Sequence, residues 1–131
     1  MTAGSLDANV VLRLLLNDVP KQHAQAVALI NSGGSFAISD TALIETNFVL
    51  GRAYGLTRAQ QREAIVGILL QPSIRGNLEC FANAFELYVE HPALSFEDCY
   101  LVVAADAGGN SPLWTFDKKL ANQSTARLLK A

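Results

Sequence analysis

Four of the twelve acidic residues in this 131-residue chain stand where a carboxylate could do chemistry: Asp7, Glu45, Asp98 and Asp117. Asp7 follows a short β-compatible stretch, and Asp117 closes the apolar run Leu113-Trp114-Thr115-Phe116. Glu45 and Asp98 lie inside apolar helical patterns. On a helix surface Glu45 neighbours Ala42, Phe48 and Val49, and Asp98 neighbours Leu101 and Val102, with Ala105 a further turn on. A lone carboxylate on a buried stripe is costly, so the two acids predict a shared partner. A hard divalent cation suits converging carboxylates best, because Mg²⁺ or Mn²⁺ prefers oxygen ligands. Such an ion can lower the pKa of a bound water, orient an in-line attack and neutralise charge on a phosphoryl oxygen. Phosphodiester hydrolysis is then the natural reaction, and no side-chain nucleophile is required.

Each acid also has a structural role open to it. Asp7 and Asp117 are favoured residue types for a turn or a helix N-cap. Asp98 stands three residues after Ser95, a shortened version of a capping box. Glu45 could pair with Arg52, two turns on. Other catalytic schemes lack their motifs: there is no G-x-S-x-G elbow, Walker loop or G-x-G-x-x-G fingerprint, and Gly33-Gly34 and Gly108-Gly109 follow helical stretches as C-caps do. His23 and His91 have no second ligand at useful spacing and read as surface residues. Cys99 reads as inert packing, and Arg58 with Arg62 as a solvated helix face.

The elements that must position the acids are short. Strands are expected at Thr2–Leu6, Ser35–Ile38, Leu78–Phe81 and Leu113–Phe116. Helices are expected over Val10–Leu16, from Pro20 to Ile30, from the cap at Ser39 or Asp40 to about Tyr54, and from Thr57 to Leu70. Further helices follow over Asn83–Glu90, from Ser95 past Ala105, and after Asp117; the tail Ala126–Leu129 shows no clear final strand. This alternation predicts one α/β domain over residues 1–131, with a mainly parallel central sheet and helices on both faces. In such sheets ligands bind outside the carboxyl ends of strands, where Asp7 and Asp117 fall.

Composition narrows the field. With 50% hydrophobic and 17% charged residues, the chain reads as one globular domain, not a disordered one. A formal charge of −2 argues against a broad basic face for duplex DNA. Cys80 and Cys99 form no C-x-x-C pattern and read as buried thiols of a cytoplasmic protein. Tyr100–Ala105, the longest wholly apolar run, is far short of the ~20 residues a membrane span needs.

The chain resembles PIN-domain ribonucleases, in particular the small VapC-type toxins of bacterial toxin–antitoxin pairs. The resemblance rests on Leu6-Asp7-Ala8-Asn9-Val10-Val11-Leu12-Arg13, Glu45-Thr46-Asn47-Phe48-Val49-Leu50, Phe96-Glu97-Asp98-Cys99-Tyr100-Leu101 and Thr115-Phe116-Asp117, in that order. It implies a PIN-like three-layer fold in which Asp7, Glu45, Asp98 and Asp117 line one acidic pocket for Mg²⁺ or Mn²⁺. Asn9 and Thr115 match polar positions that accompany the acids: an amide can orient Asp7, and a hydroxyl can reach a water on the metal or cap the next helix. The resemblance further implies cleavage of single-stranded or looped RNA, a homodimer, and inhibition by a cognate antitoxin whose extended segment covers the pocket. In a mildly acidic chain the RNA must be held by a few basic groups, with Arg13, Arg52, Lys118 and Lys119 the nearest candidates. Two alternatives remain. A phospho-acceptor receiver-like signalling domain needs an acidic neighbour for Asp7 and an acceptor Asp after a middle strand at Leu78–Phe81, and has neither; a catalytically silent PIN-scaffold binding module should have lost acids, and all four are present.

Overall fold

A computed structural model describes residues 2–130 and divides the chain into two compact units, Met1–Leu78 and Glu79–Ala131. In the first unit, α1 (Ala8–Leu15) is capped by the Asp7 side chain and buries Ala8, Val11 and Leu12. Helix α2 (Pro20–Ile30) opens on Pro20, whose fixed φ and missing N–H suit a first helical position. After it the chain turns through Gly33 and Gly34, at φ 101 and 84. Ser39 caps α3 (Asp40–Arg52) by accepting from the Ala42 N–H. Thr57 and Gln60 form both halves of a capping box at the start of α4 (Arg58–Leu69).

All strand pairing is parallel, as expected of an α/β chain. β1 (Phe36–Ala37) pairs with β2 (Ile74–Arg75) in the register Phe36↔Ile74 and Ala37↔Arg75. The strand expected at Thr2–Leu6 shrinks to a bridge between Ser5 and Ala37, with the Leu6 N–H donating to the Ala37 carbonyl at 2.8 Å. Ala3-Gly4-Ser5 has almost no side chain to pack, and only Leu6 of that stretch is buried. No continuous central sheet is formed among the described residues; two two-stranded pieces are.

The second unit corrects one assignment. Leu78–Phe81 is no strand but the first turn of α5 (Leu78–Glu90), because Cys80, Phe81, Ala84 and Phe85 bury one helical face. Phe81, Phe85, Tyr88, Phe96 and Tyr100 stack and tilt against one another there, with Phe85 and Phe96 centroids 4.5 Å apart. The corresponding strand falls earlier, at β2. Ser95 caps α6 (Phe96–Ala107). β3 (Trp114–Thr115) leads into Asp117, which caps α7 (Lys118–Gln123). The tail does contain a strand, β4 (Arg127–Leu128), paired in parallel with β3. Leu94, Cys99, Val102, Leu120 and Ala126 form a buried cluster in this unit. Both cysteines are buried thiols.

Candidate active site

In the first unit three of the residues selected from sequence come together. Asp7 ends the extended segment before α1, and its Oδ1 accepts the Val10 N–H at 2.9 Å. Asn9 and Arg13, one turn apart, lie on the same face of α1. Asp7, Asn9 and Arg13 line one open groove of about 350 Å³, which α2 completes with Gln22 and Gln25. The two glutamines were not singled out from sequence; the available signal was their spacing of three on the second helix, which puts both amides on one side. Asn9 does not orient Asp7 by a hydrogen bond. The backbone of α1 does so instead, leaving Oδ2 of Asp7 uncommitted.

Arg13 is only partly available. Its Nη1 donates to Asp18 Oδ1 at 2.6 Å, and the Tyr54 hydroxyl donates to Asp18 Oδ2. The Tyr54 hydroxyl, then the Arg13 guanidinium, hold the Asp18 carboxyl below the usual carboxylate range. The same contacts, led by Asp18, raise the pKa of Arg13. Arg13 Nε is buried without a hydrogen-bond partner. The ring of His23, half-buried rather than on the surface, contacts the Arg13 carbonyl at 2.7 Å through Nδ1. His91 is likewise half-buried, with Nδ1 2.9 Å from the Leu87 carbonyl.

Glu45 departs from its expected setting. It is exposed, because α3 buries Leu43, Thr46, Asn47 and Leu50, and position 45 lies on roughly the opposite side of a helix with 3.6 residues per turn. Its neighbour Phe48 is also exposed. The carboxylate makes no ion pair with Arg52, which stands exposed in the last turn of α3. The adjacent Thr46 Oγ1 donates to the Ala42 carbonyl at 2.8 Å, and Gln61 Nε2 donates to the Asn47 carbonyl at 2.9 Å. The buried Gln61 bond ties α4 to α3, while the Thr46 bond closes within α3.

In the second unit Asp98 is half-buried in the first turn of α6. Ser95 Oγ accepts the Asp98 N–H at 3.2 Å, so the forward half of the expected capping box exists. The Asp98 side chain does not return the bond, being shorter than Glu or Gln. Asp117 does cap its helix: Oδ1 accepts from the Lys119 and Leu120 N–H groups at 2.9 and 3.3 Å. Thr115 Oγ1 in turn accepts the Asp117 N–H at 3.0 Å, which realises the capping alternative for that hydroxyl. Lys118 and Lys119 are exposed.

As donors the four acids suit a hard cation. They offer carboxylate oxygens with no thiolate or imidazole among them, and Oδ2 of both Asp7 and Asp117 is left over from capping. Among the described residues neither unit groups three or more His, Cys, Asp or Glu side chains as a metal site. Asp7 and Glu45 belong to the first unit, Asp98 and Asp117 to the second. The helical start of α5 also leaves the receiver-like alternative without the middle strand it required. No described helix is long and apolar enough to cross a membrane.

No curated protein matches the chain. Among solved structures it is similar to VapC20 of Mycobacterium tuberculosis, a toxin that cleaves the sarcin–ricin loop, at 19% identity over 92% of this chain and 94% of that one, with a TM-score of 0.44. The profile of the PIN domain matches residues 5–125, a span that takes in Asp7, Glu45, Asp98 and Asp117 in their order along the two units. With nearly its whole length matched, the chain belongs to the PIN domain family.

Proposed function

We propose that this chain is a divalent-metal-dependent endoribonuclease, the toxin of a type II toxin–antitoxin pair, working as one PIN domain over residues 1–131. Family membership supports this, and one observation carries it: Asp7, Asn9 and Arg13 share a groove in which Asp7 is held by the α1 backbone with one oxygen to spare. Asp7, Glu45, Asp98 and Asp117 act as a functional unit and would hold Mg²⁺ or Mn²⁺. When bound, the ion supplies charge neutralisation at the phosphoryl oxygen and makes water a better nucleophile.

The chain's own residues do the positioning. Helix α1 fixes Asp7, and Thr115 with the first turn of α7 fixes Asp117. Arg13, Arg52, Lys118 and Lys119 hold phosphates, while the Gln22 and Gln25 amides face the same groove as Asp7 and can bond base edges. A homodimer and a cognate antitoxin belong to the proposal, in the cytoplasm. Exposed Phe48 and Leu70, at 57% and 63%, are apolar surface that such partners would cover.

The chain purified free of antitoxin should cut a looped RNA in Mg²⁺ or Mn²⁺ and stop in EDTA; cleavage that persists in excess chelator overturns the metal requirement. Asp7→Asn, Glu45→Gln and Asp98→Asn should each abolish cleavage, with Asp117→Asn the mildest of the four, since groups acting as a unit lose nearly everything singly. Mild, additive losses would overturn the joint site.

A further inference from the structure

Beside Asp117 lies a surface that none of these roles uses. Trp114 and Phe116 flank Thr115 along β3 and its exit, and they stand 57% and 79% exposed. Trp114 stands on the strand and Phe116 at the bend that follows it, directly before Asp117. Thr115, between them, accepts the Asp117 N–H. The β3–β4 register sets exposed Arg127 beside Trp114, and paired residues of a parallel ladder point to the same side. Lys118 and Lys119 follow directly, both exposed.

Two large aromatic side chains left this open on a small domain call for a partner, and the local charge identifies its kind. Residues 113–130 carry Lys118, Lys119, Arg127 and Lys130 against Asp117 alone, within a chain whose formal charge is −2. Asp117 uses Oδ1 alone for its capping bonds. Aromatic faces beside a local excess of cations, four against Asp117 and the Asp106 carboxylate that Thr125 bonds, match a single-stranded nucleic acid, whose bases stack and whose phosphates pair with Lys and Arg. A generic apolar protein surface would leave those cations unmatched. A duplex keeps its bases stacked on each other and cannot use the rings.

Resting on the ribonuclease reading, we propose that Trp114 and Phe116 form a stacking platform for unpaired RNA bases, with Arg127, Lys118 and Lys119 holding the adjoining phosphates, so that unstacked RNA is delivered next to Asp117. Stacking of this kind adds affinity independently of which base is read.

The chain contains a single tryptophan, Trp114, so its fluorescence reports this surface directly. The whole chain in EDTA, where binding is read without cleavage, should be titrated with three probes: a 12-nucleotide single-stranded RNA, the same length of abasic ribose-phosphate strand, and a blunt RNA duplex. The single strand should quench Trp114 saturably, and the abasic strand and duplex should not. Phe116→Leu, a conservative change at an open site, should weaken single-strand binding roughly tenfold by anisotropy of a labelled strand, since one stacked base is worth about that much. Equal quenching by the abasic strand would overturn the platform in favour of charge alone. No quenching by any probe, with Trp114 shielded from acrylamide in a sedimenting dimer, would overturn it in favour of a protein interface. Loss of metal-dependent cleavage by the parent would instead refute the ribonuclease reading, and the binding titration in EDTA reads separately from that.

Discussion

Asp7 is both a helix cap and a proposed catalytic acid, and the two roles separate quantitatively. Its Oδ1 accepts the Val10 N–H at 2.9 Å, one of the unpaired donors at the start of α1. Asp7→Ala deletes that acceptor, which costs about 1 kcal/mol for a typical N-cap, or a fall in Tm of about 3–5 °C in a chain of this size. Asp7→Asn keeps an oxygen in the same place. It gives up only the interaction of a negative charge with the helix N-terminus, about 0.3–1 kcal/mol and less at high salt. Neither loss unfolds a domain with the usual stability of about 5–15 kcal/mol, so a residue that only caps would leave both variants near parental activity. A carboxylate that acts on the reacting centre predicts loss of more than about a hundredfold in kcat/KM for both variants, although one of them keeps the cap. Thermal melts and cleavage of a labelled looped RNA in Mg²⁺ measure the two effects separately. Asp7→Asn cleaving within about threefold of the parent would refute a catalytic Asp7 and reduce it to its cap.

Three further outcomes test the packing and charge described above. At Gly51 an added Cβ would lie 2.6 Å from Gln61 Nε2, which is bonded to the Asn47 carbonyl, whereas at Gly67 it would meet nothing within 4 Å. Urea denaturation should therefore find Gly67→Ala more stable by about 1 kcal/mol from helix propensity, and Gly51→Ala less stable by up to about 2 kcal/mol once the buried amide is displaced; the reverse order would contradict the α3–α4 contact. Because Tyr54 and Arg13 hold the folded Asp18 carboxyl below its unfolded value of about 3.9, its stabilisation is complete above that pH and is lost as pH falls through the folded value. The Tm gap between parent and Asp18→Asn should narrow on acidification below about pH 4, and a gap constant from pH 6 to pH 2 would remove the ion pair from the account. Thr115→Val should lower activity and melt earlier, by about 1 kcal/mol for a lost hydrogen bond, with Thr115→Ser restoring both; failure of Ser to rescue would deny the hydroxyl its hold on Asp117.

The starts of α2, α3, α4, α6 and α7 were legible in the sequence because their determinants lie within four residues of each other. Pro20 opens α2, Ser39 caps α3, Thr57 and Gln60 box α4, Ser95 caps α6 and Asp117 caps α7, each through a side chain and a nearby backbone N–H or a fixed φ. The four acid motifs and their order are likewise linear information, and the family match follows them. Strands were legible only in part: β1 and β3 fall inside the expected Ser35–Ile38 and Leu113–Phe116, while β2 and β4 were not expected. Each spans two residues, too few for an alternating pattern, and is defined by a partner far along the chain: Phe36 by Ile74, Trp114 by Arg127. Leu78–Phe81 has strand-like composition, but packing of Phe81 and Phe85 on one face decides for a helix. Exposure was equally undecidable in advance. Glu45 has apolar neighbours on the helix surface, yet α3 is pinned by Leu43, Thr46, Asn47 and Leu50, and that pinning turns Glu45 outward. Only the folded chain brings Gln22 and Gln25 to the groove of Asp7, or Tyr54 to Asp18 across 36 residues of sequence. The division follows from range: a cap is settled by local backbone hydrogen bonds, whereas which face is buried and which distant groups meet depend on packing against elements the local sequence does not contain.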